Sequence, residues 1–166
     1  MRRRQTEPNL VHGNPRVREE HSDPYHVRAK LREPARCNQC GAVYHKGRWQ
    51  WLEDVPADAR DLRCSACQRI EDNNAAGEIV ITGAFATEHA DEVLNLVRNM
   101  EKAENREHPL NRIMDVQQKD GVLTVTTTDI HLPRRIGHAL EDAWDGDLDT
   151  HYDGERWFIR VTWRRD

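Results

Sequence analysis

The chain has 166 residues, of which 37% are apolar and 33% are charged, and its formal net charge is −4. An apolar share this low argues against a single packed core and predicts a long solvated segment. No apolar run approaches the length of a membrane span, and none follows the basic N-terminus, so we expect neither a signal peptide nor a span. We therefore predict a cytoplasmic protein with reduced cysteines.

The charge is distributed unevenly along the chain. Residues 1–36 carry nine Lys and Arg against five Asp and Glu, whereas residues 77–166 carry eleven against eighteen. A basic segment on an acidic body suits a polyanion such as RNA or DNA, and it equally suits a solubilising arm. Four prolines and the lack of periodicity predict a disordered arm over residues 1–35. Its candidate RNA contacts are Arg2, Arg3, Arg4, Arg16 and Arg18.

Four cysteines form two CxxC pairs: Cys37, Cys40, Cys64 and Cys67. Two such pairs are typical of a tetrahedral zinc site, and four thiolates leave no open position for a substrate. We predict one structural Zn²⁺ in a zinc ribbon over residues 36–70, followed by a linker over 71–77. The alternatives are a redox dithiol, an iron–sulfur centre and four unrelated thiols. The lack of a βαβ context around either pair argues against a redox dithiol.

The segment between the two pairs combines basic and aromatic residues. Alternation over residues 42–52 predicts one strand, with Trp49 and Trp51 on the face toward the zinc and Lys46 and Arg48 on the other face. Such side chains can bind phosphates and stack on unpaired bases. We predict RNA contacts at Lys46, Arg48 and Trp49. The alternative is that the tryptophans form only the core of the ribbon.

The remaining residues, 78–166, alternate in hydrophobic period. Thr87 and Asp129 are suited to cap the two predicted helices. The order β-α-β-β-α-β, with one further strand, predicts an α+β domain of the ferredoxin-like type. That fold hosts RNA-binding modules and enzymes alike, so it does not decide function. The predicted elements are a strand (78–85), a helix (87–107), a hairpin (111–118 and 122–128), a helix (129–144) and two strands (147–153 and 156–163).

A cluster of basic residues marks the second predicted helix. His131, Arg134, Arg135 and His138 lie away from its apolar stripe and near its start, where backbone N–H groups attract anions. We predict RNA contacts at Arg134, Arg135 and His138. The alternative is a solvated face with ion pairs to acidic residues on the same helix.

Few residues are available for catalysis. The chain has two serines and uses all four cysteines for the metal, and it has no glycine-rich phosphate loop. We predict that the protein is not an enzyme and that it has no small-molecule substrate. A metal-dependent hydrolase or a nucleotide-binding enzyme that uses His131 and His138 is the remaining catalytic hypothesis.

Four segments carry a resemblance to a known family: the C-x-x-C-G at Cys37, the second C-x-x-C at Cys64, HPLNRIM (108–114) and DGVLTVTTTD (120–129). Over residues 35–145 the chain resembles small bacterial proteins similar to the N-terminal part of the large-ribosomal-subunit export adaptor family, known as nonsense-mediated-decay protein three. The resemblance implies that the four cysteines ligate zinc and that the partner is the ribosome or rRNA, with the large subunit favoured. The chain has fewer cysteine pairs than that family and lacks its C-terminal export region, so we expect no export role.

Two hypotheses follow. The first is a cytoplasmic zinc-ribbon factor that binds the ribosome or structured RNA in a regulatory or stress role. The second is a protein–protein interaction adaptor that does not bind RNA.

Overall fold

The computed structural model describes residues 23–25 and 31–166, which contain two mixed β-sheets and four helices. The predicted α+β class is confirmed. Residues 1–22 and 26–30 lie outside the described part, so the disorder predicted for most of the basic arm stays a prediction. Among the described residues, no helix has both the length and the apolar composition that crossing a membrane requires.

The smaller sheet has four strands in the order β3-β2-β1-β4. Strand β1 runs parallel to β4, and the other two pairs are antiparallel. We call this sheet and the helix that follows it the cysteine module (residues 35–72). The helix covers the first two residues of the predicted linker, so only residues 73–76 separate the module from the next strand. The elements are β1 (Ala35–Cys37), β2 (Val43–His45), β3 (Arg48–Gln50), β4 (Arg60–Leu62) and α1 (Ser65–Asp72).

A single strand over residues 42–52 was predicted, and this is wrong because the chain reverses at Lys46 and Gly47. These residues have φ angles of 52° and 79°, and positive φ at both central residues is the signature of a type I′ hairpin turn. Their backbone N–H groups donate to the carboxylate of Glu33 at 2.8 and 2.9 Å, which stabilises the turn. Strands β2 and β3 therefore form a hairpin.

The larger sheet has five strands in the order β6-β7-β5-β9-β8. Strand β5 is antiparallel to β7 and parallel to β9, and the hairpins β6–β7 and β8–β9 are antiparallel. We call residues 77–166 the α+β domain. Its elements are β5 (Gly77–Thr82), α2 (Ala84–Glu88), α3 (Ala90–Glu107), β6 (Ile113–Lys119), β7 (Val122–Thr127), α4 (Leu132–Trp144), β8 (Asp147–Asp153) and β9 (Phe158–Arg164).

The ferredoxin-like order is not confirmed. In a ferredoxin-like sheet, the strand that follows the second helix lies beside the central strand and runs antiparallel to it. Here β8 lies at the edge, and β9 lies beside β5 and runs parallel to it. The additional strand is therefore inserted into the sheet rather than added at its edge.

The first long helix also differs from the prediction. The helix predicted over 87–107 is divided at His89 into α2 and α3, and α2 begins earlier, at Ala84. The cap predicted at Thr87 is wrong, because Thr87 lies inside α2 and its hydroxyl donates to the carbonyl of Gly83 at 3.3 Å.

The core of the α+β domain lies between the larger sheet and its helices. Alternate residues of β5, β7 and β9 are buried and pack against α3 and α4, as the strand period predicts. This packing fixes the end of α3 and the start of β6, the two places where the domain meets the cysteine module. The fully buried residues of the core include Ile79, Ile81, Val93, Val97, Val125, Ile136, Leu140, Val161 and Trp163.

Candidate metal centre

The four cysteines lie together, and their sulfur atoms are all within 4.8 Å of one another. Cys37 ends β1, Cys40 lies in the turn that follows, Cys64 is the N-cap of α1 and Cys67 lies in its first turn. The Cys37–Cys67 and Cys40–Cys64 sulfur pairs are both 3.8 Å apart. These residues can hold a metal ion. Among residues 23–25 and 31–166 they are the only group of Cys, His, Asp or Glu with this geometry.

Backbone groups and neighbouring thiols favour negative charge on some of the sulfurs. The backbone N–H of Cys64 donates to the sulfur of Cys37 at 3.3 Å, and that of Cys67 donates to the sulfur of Cys64 at 3.4 Å. A hydrogen bond from the Cys64 thiol lowers the pKa of Cys40 to about 4, and the same bond raises the pKa of Cys64. The shared hydrogen bond therefore favours negative charge on one sulfur of this pair, and a thiolate is the form of cysteine that binds metals.

An arginine of the α+β domain reaches the cluster. The Nη2 atom of Arg112 lies 3.3 Å from the sulfur of Cys64, 3.5 Å from that of Cys67 and 3.7 Å from that of Cys40. Its Nε atom is buried and has no hydrogen-bond partner among the described residues. The cluster of sulfurs is therefore the hydrogen-bond partner of this guanidinium among the described residues.

The loop before β6 holds Arg112 in place. The side chain of Asn105 donates to the carbonyls of Pro109 and Asn111 at 3.0 and 3.5 Å. The hydroxyl of Thr128 donates to the carbonyl of Leu110 at 2.6 Å and accepts the backbone N–H of Arg112 at 2.9 Å. These bonds tie the loop to α3 and to the end of β7.

Two apolar side chains pack against the cluster. Leu110 of the α+β domain and Trp49 of β3 pack against the buried cysteines. The indole N–H of Trp51 donates to the backbone carbonyl of Asn105 at 2.8 Å. The cysteine module therefore contacts the α+β domain at the end of α3 and at the loop that follows.

A second arginine is buried within the cysteine module. Arg69 of α1 is 2% exposed, and its guanidinium forms an ion pair with Asp23 at 2.5 Å. Its Cζ atom lies 4.2 Å from the ring centroid of Tyr25, and its Nη1 donates to the carbonyl of Asn74 at 3.0 Å. The hydroxyl of Tyr25 donates to Asp72 at 2.8 Å. Part of the segment predicted as an arm, residues 23–25, therefore packs against α1.

The predicted RNA contacts on the cysteine module lie on its hairpin. Lys46 and Arg48 are exposed, and no ion pair of either side chain occurs within the described ranges. Trp49 is half-buried, packs against the cysteines and meets the ring of Tyr44 with centroids 5.5 Å apart. The hairpin places Trp49 directly opposite Tyr44 on the neighbouring strand.

The predicted contacts on α4 are exposed, and two of them have acidic neighbours. Arg135 forms an ion pair with the buried Glu104 of α3 at 3.1 Å, and His138 lies 3.7 Å from Glu141. Arg134 is exposed and has no ion pair within residues 23–25 and 31–166. The arm arginines, Arg2, Arg3, Arg4, Arg16 and Arg18, lie outside the described residues.

Sequence reasoning missed Arg112, Arg69 and the Asp23–Tyr25 segment. Arg112 lies 45 residues after Cys67, and Asp23 lies 46 residues before Arg69. No spacing rule connects residues this far apart, and the only signal at Arg112 was its place in the HPLNRIM segment that carries the family resemblance.

Three comparisons with known proteins found no match. No protein family matches it, and no curated protein or solved structure is significantly similar to it. The resemblance to the ribosomal export adaptor family therefore stays a prediction, and the function is argued from the residues themselves.

Proposed function

We propose that the four cysteines hold one structural Zn²⁺ and that the cysteine module is a zinc ribbon. With zinc–sulfur bonds of about 2.3 Å, a regular tetrahedron places its sulfurs about 3.8 Å apart. The Cys37–Cys67 and Cys40–Cys64 distances are 3.8 Å. Four thiolates form a closed shell, so the ion would stabilise the fold and would not bind a substrate.

Metal analysis of the purified chain tests the zinc centre. One zinc per chain is expected, and Cys64→Ser is expected to lose it, since its thiolate is one of four ligands. Asp58→Ser introduces the same side chain at an exposed site of the same module and serves as the control. Iron in place of zinc, or no metal in a reduced sample, would contradict the proposal.

We further propose that the protein is a cytoplasmic factor that binds the ribosome or structured RNA through its cationic residues. The observation that supports this most directly is the β2–β3 hairpin, which presents Lys46 and Arg48 to solvent beside the half-buried Trp49. Unpaired cations beside an aromatic ring suit phosphates and unpaired bases. The basic composition of residues 1–36 would add long-range attraction. A regulatory or stress role belongs to the same proposal.

A protein-interaction adaptor is the second candidate, and the ion pairs on α4 favour it. Because Arg135 pairs with Glu104 and His138 lies close to Glu141, less of the positive charge of this helix is available to phosphates. On this alternative, the partner would remain bound after nuclease treatment.

Sedimentation of lysate through a sucrose gradient at low and high salt distinguishes the ribosome-binding factor from the protein-interaction adaptor. The proposal predicts migration with ribosomal particles at low salt, release at high salt and a peak that identifies the subunit. If the protein stays at the top of the gradient in growing and in starved cells, the ribosome proposal fails and the adaptor becomes the better hypothesis.

Charge variants test which residues bind RNA. Lys46→Ala with Arg48→Ala is expected to weaken binding and to reduce the slope of log K against log salt by about 0.7–0.9 for each phosphate that is no longer neutralised. Arg98→Ala with Lys119→Ala makes the same charge change at exposed sites of the α+β domain and is the control. Equal effects of the two double variants would show that only net charge matters.

A truncation that begins at Asp23 removes the arm arginines and keeps the ion pair between Asp23 and Arg69. It is expected to lower RNA affinity and the salt slope while leaving zinc content unchanged. Unchanged affinity would remove the arm from the proposed binding surface.

A further inference from the structure

Arg112 is positioned from outside the cysteine module. Its side chain comes from the residue before β6 and its Nη2 atom lies within 3.7 Å of three of the four sulfurs. Its backbone N–H and carbonyl both bond to Thr128, at 2.9 Å each, so the larger sheet fixes where the side chain begins. The α+β domain therefore supplies a charged group to a cluster that another sheet builds.

The guanidinium of Arg112 has no carboxylate partner among the described residues. A half-buried cation of this kind requires a counter-charge, since desolvation without one is unfavourable. Neutral thiols are weak acceptors and carry no charge. Four thiolates around a divalent ion carry a net charge of −2. This negative charge would be the counter-charge that the guanidinium of Arg112 requires.

We propose that Arg112 is a positioning residue of the metal centre, and that metal binding docks the cysteine module onto the α+β domain through it. The inference rests on the zinc centre proposed above and does not depend on RNA binding. The metal-loaded thiolates attract the guanidinium, which brings Leu110 against the cysteines and Trp51 against Asn105. Loss of the metal releases the sulfurs from the common arrangement that Arg112 contacts, and the two units separate.

Zinc affinity is the first measurement. Arg112→Gln removes the charge and keeps a polar side chain, and it is expected to bind one zinc per chain about 10–100-fold more weakly in a chelator competition. Arg112→Lys keeps the charge without the planar donor group, and its zinc affinity is expected to lie between those of the parent chain and Arg112→Gln. Arg60→Gln removes an exposed arginine of β4 that makes no ion pair within the described ranges, and it is expected to bind zinc as the parent chain does.

Docking is the second measurement, and it distinguishes this role from a general loss of stability. The indole N–H of Trp51 donates to Asn105 across the interface between the two units, so its NMR signal reports docking. In the parent chain, the signal is expected to move and to exchange faster with solvent when a chelator removes zinc. In zinc-loaded Arg112→Gln, the signal is expected to leave the docked position and to exchange faster with solvent, while the zinc-loaded Arg60→Gln control keeps the docked position.

The outcomes separate this inference from the proposals on which it rests. Zinc bound by Arg112→Gln with parental affinity and a docked Trp51 signal would overturn the inference and leave the zinc centre intact. No zinc in the parent chain would overturn both. If Arg112→Gln does not fold, parental affinity and docking in Arg112→Lys would still count against a need for the planar donor group.

Discussion

At the scale of single residues, two arginines are more important to the cysteine module than its exposed cations. Arg112 faces the sulfurs and Arg69 of α1 pairs with Asp23, and each is held by residues distant in the sequence. A buried guanidinium is tolerated only where ion pairs and hydrogen bonds replace water. Their partners are therefore expected to be sensitive to substitution, although neither arginine belongs to a recognisable motif.

Asp23 provides a direct test of the ion pair with Arg69. Asp23→Asn removes the counter-charge of a guanidinium that is 2% exposed. We expect a loss of about 1–3 kcal/mol of stability, below the range for fully buried pairs because Asp23 is partly exposed. Thermal unfolding of the zinc-loaded chain measures it, with Asp58→Asn on the module surface as the control. Equal unfolding temperatures of the two variants would show that the ion pair contributes little.

Gly83 illustrates a second constraint at this scale. Its φ angle is 104°, and a Cβ atom there would overlap the backbone of Arg165. We expect Gly83→Ala to destabilise the α+β domain by about 2–5 kcal/mol, from backbone strain and overpacking together. Gly121 also has positive φ, but its nearest neighbour is a side-chain oxygen at 3.2 Å, so Gly121→Ala should cost about 1–2 kcal/mol. Chemical unfolding compares the stabilities of the two variants. Equal losses of stability would contradict an overlap between the new Cβ atom at Gly83 and the backbone of Arg165.

At the scale of elements, the ends of helices and hairpins are set by individual side chains. The cap predicted for the second long helix at Asp129 is wrong in position, because α4 begins at Leu132 and its N-cap is His131. A carboxylate oxygen of Asp129 still accepts the N–H groups of His131 and Leu132 at 2.8 and 3.0 Å, which stabilises the start of α4. The Lys46–Gly47 turn was not predicted because lysine is unusual at the first position of such a turn. The carboxylate of Glu33, which precedes the hairpin, helps to stabilise it there.

The contact between Asp129 and the start of α4 depends on pH. Burial raises the pKa of Asp129 above its ordinary value of 3.8, and nearby Glu104 acts in the same direction. A raised pKa means that the folded chain binds the proton more tightly, so this contribution to stability is present below pH 3.8 and is lost as pH rises through the raised pKa. An asparagine at this position would keep an oxygen that can accept the N–H groups of His131 and Leu132, and it would not titrate.

The variant Asp129→Asn is therefore expected to gain stability relative to the parent chain as pH rises from 4 toward neutrality. Urea unfolding of both chains over this range measures the difference, in which changes common to both, such as acid release of a metal, cancel. Parallel stability profiles would contradict a raised pKa. Asp142→Asn, an exposed change on α4, is the control.

At the scale of the whole molecule, the two units differ in how much core they possess. The core of the α+β domain contains thirteen buried hydrophobic residues, whereas the buried cluster at the cysteines contains three, two of which are cysteines. If the proposed zinc is bound, a small module with so few buried side chains is expected to depend on it to fold, and the α+β domain with its larger core is not.

Removal of the metal is accordingly expected to unfold the cysteine module and to leave the α+β domain folded. Circular dichroism and calorimetry with and without a chelator should show that one thermal transition persists. A chain carrying Cys64→Ser should behave like the chelated parent and respond no further to chelator. Loss of every transition on chelation would mean that the larger domain also depends on the metal.

The sequence by itself determined the cysteine set, the α+β class and most elements of the larger sheet. CxxC spacing and the periods of hydrophobic residues are local properties, and each fixes which residues lie near one another within a few positions. The predicted hairpin over 111–128 and the last pair of strands were recovered with small changes at their ends.

Only the tertiary structure decided how these parts meet. The insertion of β9 between β5 and β8, the approach of Arg112 to the sulfurs and the burial of Arg69 against Asp23 all join distant segments. Such contacts depend on which surfaces remain to be covered after each element forms, and on which buried charge finds a partner. Neither property is contained in a local pattern, so the residues that connect the metal centre to the rest of the protein could not be read from the sequence.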